Sequence, residues 1–148
     1  MVALIQKSLL VVGGTGFIGT ALLKKANALG FKTTSLSLNK PSYRNTLDNT
    51  KYLHTDTSNK KKLESILDSD YNYVVNLAGY VDHKLIKDGG FSIISNQLHL
   101  LNNLVSLMNT KNLIRFVQIG SSDEYGLNKS PQKENYRENP ISPYSLAK

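Results

Sequence analysis

The 148-residue sequence predicts an α/β fold built on a doubly wound parallel sheet. Short apolar runs alternate with stretches of helical periodicity, the order that builds parallel strands covered by helices. A glycine-rich turn joins the first apolar run directly to the first helical stretch. Composition agrees, with 40% hydrophobic and 20% charged residues, as in a globular chain rather than a disordered or fibrous one.

Taken in order, buried strands are expected at 9–12, 32–38, 51–55, 73–77 and 115–119. The first, fourth and fifth are continuous apolar runs, as strands covered on both faces are. In the first helix Phe17, Ile18, Ala21, Leu22 and Leu29 recur at helical spacing, and Leu63, Ile66 and Leu67 do so in the third connection. Lys60, Lys61 and Lys62 read as a solvated helix start. The longest helix is expected over 93–109, with Leu98, Leu101, Val105 and Leu107 available to face the sheet. From 123 to 143 the periodicity fades, and Pro131, Pro140, Pro143 and Gly126 indicate a structured loop. A helix pattern resumes at Pro143-Tyr144 and stops at Lys148, so the reading expects a cut chain and an incomplete fold.

Several function classes fall away on composition. Without cysteine there is no disulfide framework, thiolate zinc site or thiol nucleophile. His54, His83 and His99 show no metal-ligand spacing, so no metal is expected. No apolar run approaches the ~20 residues that span a bilayer, and MVALIQK is too short for a signal-peptide core. The expected location is the cytoplasm, with no membrane partner. Eighteen Lys and Arg against 11 Asp and Glu give a net charge of +7. Charge alone would suggest nucleic acid, but no nucleic-acid motif accompanies it and none is expected as partner. Anionic small ligands explain it as well.

The most informative stretch is LLVVGGTGFIGTALLKKA. Gly13 lets the chain leave the strand in a tight turn, Gly16 lets a pyrophosphate approach the backbone, and Gly19 lets helix and strand pack closely. The helix start then offers unpaired N–H groups and positive potential to phosphates. A strand before it and a helix after it make this a dinucleotide-binding turn.

The spacing G-x-x-G-x-x-G resembles the extended short-chain dehydrogenase/reductase family, whose members open with GGTGFIG or close variants. The resemblance covers the whole chain and implies a Rossmann-like NAD(P)-binding domain over 1–148, lacking the substrate-binding part. It implies cofactor contacts from Gly13, Thr15, Gly16, Phe17, Ile18, Gly19, from Leu77, Ala78 and Gly79 after the fourth strand, and from Asn96. Asn76, ending that strand, also matches a family position. Asp56 falls where the family has an aspartate that contacts the adenine, with Thr57 beside it; alternatively Asp56, Thr57 or Ser58 caps the next helix. The ribose-binding acid expected ~20 residues past the glycines is replaced by Ser37. Without a carboxylate there, and with Asn39, Lys40 and Arg44 following, NADP is favoured over NAD.

PYSLAK places Tyr144 and Lys148 four apart on one helix face. An ammonium beside a phenol stabilises the phenolate, which makes a tyrosine usable as a general acid–base. With GGTGFIG and a serine-bearing turn after the fifth strand, this resembles the family's Tyr-Lys pair, and the resemblance carries the roles onto Tyr144 and Lys148. Counting back five from Gly126 puts the family's catalytic hydroxyl on Ser121, with Ser122 the fallback and turn-capping the plain alternative. Dehydratases of the family carry a carboxylate two residues later as a second base; here that is Asp123, one methylene shorter than the usual Glu. Glu124 is read as capping the loop. Tyr80, Asp82 and His83 are candidates to line a sugar pocket.

The resemblance thus implies an NAD(P)-dependent epimerase/dehydratase acting on a nucleotide-activated sugar through a 4-keto intermediate. Two readings compete with it: an NADPH-dependent keto-sugar or carbonyl reductase, and a non-catalytic dinucleotide-binding module. Family members need roughly as many residues again, so this chain alone is expected to bind dinucleotide weakly and turn over nothing. The full-length protein is expected to pair as a homodimer through two helices, one starting at Tyr144.

Overall fold

The computed structural model describes residues 6–67, 70–79, 82 and 84–148. Five strands form one parallel sheet: β1 (Ser8–Val12), β2 (Lys32–Ser37), β3 (Thr50–His54), β4 (Tyr73–Asn76) and β5 (Arg115–Gln118). Their order is β3-β2-β1-β4-β5, so the chain runs outward on one side of β1, returns, and runs outward on the other. That reversal beside β1 is the doubly wound, Rossmann-like arrangement. Register is continuous, with Leu10 opposite Thr34 on one side and Val74 on the other. Four helices connect or follow the strands: α1 (Phe17–Ala28), α2 (Lys60–Ile66), α3 (Phe91–Leu107) and α4 (Pro143–Ala147). Among the described residues no helix is long and apolar enough to cross a membrane.

The chain divides into two units. One comprises Met1–Ala78 with Asn103–Gln118, and the other Gly79–Asn102 with Ile119–Lys148. The first holds the whole sheet. Leu10, Val11 and Val12 are completely buried, because β1 is central and covered on both faces. Leu9 and Val11 pack with Leu23 and Ala26 of α1. A leucine such as Leu23 contributes about 1.5–3 kcal/mol on full burial.

The helix faces differ from the sequence expectation. On α1 the buried residues are Gly19, Leu23 and Ala26. Leu22 is half-buried and Phe17, Ile18, Ala21 and Leu29 are exposed. On α3 Ile93, Gln97, Leu100 and Leu104 are buried, whereas Leu98 and Val105 are exposed and Leu101 and Leu107 half-buried. Both helices are apolar over more than one stripe, so counting apolar residues selected a neighbouring one. β5 is not fully buried either: as the outermost strand it leaves Arg115 exposed and Phe116, Val117 and Gln118 half-buried.

β2 buries hydroxyls beside the hydrocarbon of Leu36. Thr33 donates to Asn27 Oδ1 at 2.6 Å and sits 2.8 Å from the Thr50 hydroxyl, which removes most of the desolvation cost. The start of α2 is capped by Asn59, whose Oδ1 accepts the Lys62 N–H at 3.1 Å, not by Asp56, Thr57 or Ser58. Lys60, Lys61 and Lys62 are exposed, as expected of a solvated first turn. Asn59→Ala is expected to lower stability by about 1 kcal/mol, the usual worth of an N-cap, read as a fall in urea midpoint at unchanged m.

Candidate active site

The glycine turn lies in the first unit. Gly13 has φ +83°, a left-handed value that favours glycine, and its N–H donates to Leu36 O at 2.7 Å. A Cβ on Gly13 would lie 3.0 Å from Ala78 N and 3.2 Å from Leu77 C, so the turn is seated on the chain leaving β4. A Cβ on Gly19 would collide with Gly13 O and the Gly14 backbone. Close packing at Gly19 is therefore against the turn itself. Gly14, passed over by the G-x-x-G-x-x-G pattern, is also required: a Cβ there would strike Ser35.

Gly16 is the N-cap of α1 and supplies no side chain to its first turn. A Cβ on Gly16 would meet only Gly13 O, at 3.3 Å, so this face is open. An uncapped helix start beside a bare glycine is the cradle a pyrophosphate fills, its oxygens taking the place of a capping side chain. The residues present fit a dinucleotide. Phe17 and Ile18 begin that helix with exposed side chains, and Thr15 is tied down by its N–H, which donates to Ser37 Oγ at 3.1 Å.

Ser37 is therefore a buried hydroxyl at the end of β2 that already holds the turn. Asn39, Lys40 and Arg44 follow it, all exposed. Asp56 is exposed, and its Oδ1 accepts from the Ser58 hydroxyl at 2.7 Å and the Ser58 N–H at 2.9 Å. These bonds, the hydroxyl's first, hold its carboxyl below the usual carboxylate range. Asn103 donates to Thr57 O at 3.0 Å and to Ser58 O at 2.9 Å, bracing the same loop from α3. At the end of β4, Asn76 is completely buried: it donates to Gln118 Oε1 at 2.8 Å and accepts the Ala78 N–H at 3.2 Å. Leu77 N–H donates to Val12 O at 2.9 Å, completing the floor under the glycines.

The second unit gathers the remaining candidates. Ser142 and Ser145 cap α4 reciprocally, and Pro143 occupies its first turn. Pro143 also packs at Gly90, where any side chain would meet its ring. Tyr144 and Lys148 lie on the same side of α4, as their spacing predicts, with Lys148 Nζ 6.0 Å from the centre of the Tyr144 ring. A Cβ on Gly79 would lie 2.7 Å from Lys148 Nζ and 3.2 Å from Gln97 Oε1. In this unit, the bareness of Gly79 thus makes room for the lysine. Burial pushes the Lys148 ammonium below its ordinary value, and the Glu124 carboxylate works against that.

Ser121 is the N-cap of the 3-10 turn Ser122–Tyr125. Its Oγ accepts the Asp123 N–H at 3.2 Å, so the capping role is real, yet that bond does not use the hydroxyl's own hydrogen. Asp123 is exposed and shares a groove of about 230 Å³ with Gly126, Ile141, Ser142 and Ser145. Gly126, at φ +55°, is overlaid by Asn139 O, which fixes the return of the loop. Asn96 is half-buried on α3. Its neighbour Gln97, buried with its Oε1 beside Gly79, was missed. A polar residue in phase with Ile93, Leu100 and Leu104 was the available signal. Asp82 is half-buried and pairs with Lys84 at 3.0 Å. Tyr80 and His83 lie outside the described residues.

A model of the NAD dependent epimerase/dehydratase family matches residues 9–148. The chain belongs to that family. Among solved structures, a UDP-N-acetylglucosamine 4-epimerase from Methanobrevibacter ruminantium M1 is 26% identical with a TM-score of 0.77, covering 96% of this chain and 47% of that one. A UDP-glucose 4-epimerase from Bifidobacterium longum, in complex with NAD+ and UDP, is 21% identical with a TM-score of 0.80, covering 95% and 45%. An NAD dependent-NDP-hexosamine 5,6-dehydratase of tunicamycin biosynthesis is 23% identical with a TM-score of 0.70, covering 95% and 46%. The chain spans less than half the length of these neighbours.

Proposed function

We propose that the whole protein epimerises or dehydrates a nucleotide-activated sugar through a 4-keto intermediate, using a nicotinamide dinucleotide. The observation that carries this reading is Lys148 lodged against Gly79 with its ammonium over the Tyr144 ring. A module that only bound dinucleotide would have no use for that pair. The nucleotide sugars named for the neighbouring structures support the substrate class.

Gly13, Thr15, Gly16, Phe17, Ile18 and Gly19 would hold the pyrophosphate, with Ser37, Asn39, Lys40, Asp56 and Thr57 toward the adenosine and Leu77, Ala78, Gly79 and Asn96 toward the nicotinamide. The absence of a carboxylate at residue 37, with Lys40 and Arg44 exposed beyond it, favours NADP, while NAD is the cofactor named for three neighbours. When bound, the dinucleotide supplies the acceptor for the C4 hydride and its return. Tyr144 takes the proton of the C4 hydroxyl, Ser121 donates its free-turning hydrogen to the same oxygen, and Lys148 stabilises the phenolate. Epimerisation needs no further group. Dehydration needs a base at C5, and Asp123, on an exposed turn that lines the groove, is the carboxylate this reading assigns to it.

Asp123→Asn tests that assignment. Followed by keto-sugar formation, the variant is expected to lose about 10²-fold or more in dehydration, the lower range for a positioned base, with C4 epimerisation retained. Unchanged dehydration would remove Asp123 from the mechanism. No keto-sugar from any nucleotide sugar, with a carbonyl reduced stoichiometrically instead, would favour a reductase.

A further inference from the structure

The loop after β3 carries Asp56, and a buried side chain of α3 holds that loop. Asn103 begins the part of α3 that belongs to the first unit. Its amide nitrogen donates to Thr57 O at 3.0 Å and to Ser58 O at 2.9 Å, which uses both of its hydrogens. Two successive carbonyls turned to one nitrogen pin the backbone of both residues.

The pinned residues in turn hold Asp56. The Ser58 hydroxyl and N–H both donate to Asp56 Oδ1, at 2.7 and 2.9 Å, and the Asn59 N–H donates to Asp56 O at 3.1 Å. Both Ser58 bonds fall on the same oxygen, so Oδ2 is left to an outside donor. The direction of this exposed carboxylate is therefore set by Ser58, and the place of Ser58 by Asn103. Thr55 N–H donates to Ser37 O at 3.0 Å, which puts the loop at the carboxyl end of β2, where Ser37 also holds the glycine turn. A carboxylate only accepts hydrogen bonds, and the N–H donor on the adenine ring is its 6-amino group.

We propose that Asn103 is a positioning residue for recognition of the base: by clasping the carbonyls of Thr57 and Ser58 it aims the Asp56 carboxylate at the adenine 6-amino group. This rests on the reading above, in which Asp56 lies toward the adenosine. What it adds is that selection of the base is set from α3, by a side chain whose two donor hydrogens are both spent on the loop.

The test compares binding of reduced NAD or NADP, whichever the whole protein holds more tightly, with its hypoxanthine counterpart, in which a carbonyl oxygen replaces the 6-amino group. Nicotinamide fluorescence reads both. The parent is expected to prefer the adenine form by about tenfold or more, the low end for a hydrogen bond to a charged acceptor. Asn103→Leu keeps a side chain of similar size on the helix and removes both donors. In that variant the preference is expected to fall by more than repeat titrations differ. A merely structural role would weaken both dinucleotides alike and leave their ratio unmoved, and that result would overturn the proposal. Asn103→Ala serves should Asn103→Leu fail to fold, with the same fall expected and an unmoved ratio counting equally against it. A parent that binds both forms equally would defeat the assignment of Asp56 and the proposal with it. A preference kept in the variants would defeat the proposal alone.

Discussion

Tyr144→Phe is expected to lower sugar turnover by the whole protein about 10²- to 10⁴-fold, the contribution of a positioned general acid–base, with dinucleotide affinity unchanged. The substitution removes one oxygen from a half-buried ring on α4. Ser142, Pro143 and Ser145 hold that helix start independently of the phenol, so the fold has no reason to respond. The Lys148 ammonium keeps its ring, its place at Gly79 and its carboxylate neighbour, but no proton remains to be moved. Steady-state kinetics beside a dinucleotide titration separate the outcomes. Loss of turnover with intact binding supports the assignment, and turnover within tenfold of the parent would take Tyr144 out of the chemistry.

Gly19→Ala is expected to destabilise the chain by about 1–3 kcal/mol, as overpacking does, and to weaken dinucleotide binding at least tenfold, about 1.4 kcal/mol. The added methyl would occupy the place of Gly13 O and the Gly14 backbone. Neither can retreat. Gly13 is held at φ +83° over Ala78 and Leu77, and Ser35 and Leu23 leave no room for even a Cβ on Gly14. The strain must then open the turn or tilt α1, and either displaces the uncapped N–H groups from the phosphates. Urea unfolding reads the first effect, and quenching of bound reduced dinucleotide fluorescence reads the second. A variant that bound with parental affinity would show that the turn is not the phosphate cradle.

The parts legible in the sequence are those fixed by local chemistry. All five strands were expected to within a residue or two, and β1 was the plainest, because a central parallel strand must be apolar on both faces. Gly13 and Gly19 were found because a left-handed turn and a close approach exclude every other side chain. Tyr144 and Lys148 share a side of α4 because helical spacing puts them together, and it was GGTGFIG and the serine-bearing turn that singled the pair out.

The parts that depend on tertiary partners were not legible. Thr33 is core only because Asn27 and Thr50 receive its hydroxyl. The buried faces of α1 and α3 were chosen by what packs on them, and the sequence offered two apolar stripes for each. Gln97 showed only as a polar residue in phase with Ile93, Leu100 and Leu104, and nothing local says that its amide ends beside Gly79. Glu124 was readable as a loop cap, and its carboxylate does cap the 3-10 turn through the Ser121 N–H.

The most direct test of the central claim is to incubate the purified whole protein with a panel of UDP- and other nucleotide-linked hexoses and catalytic NAD or NADP, and to resolve the products by anion exchange and NMR. The expected result is conversion of at least one nucleotide sugar to its C4 epimer or 4-keto derivative, without net accumulation of reduced dinucleotide. No conversion of any nucleotide sugar, together with stoichiometric consumption of reduced dinucleotide on a carbonyl substrate, would contradict it.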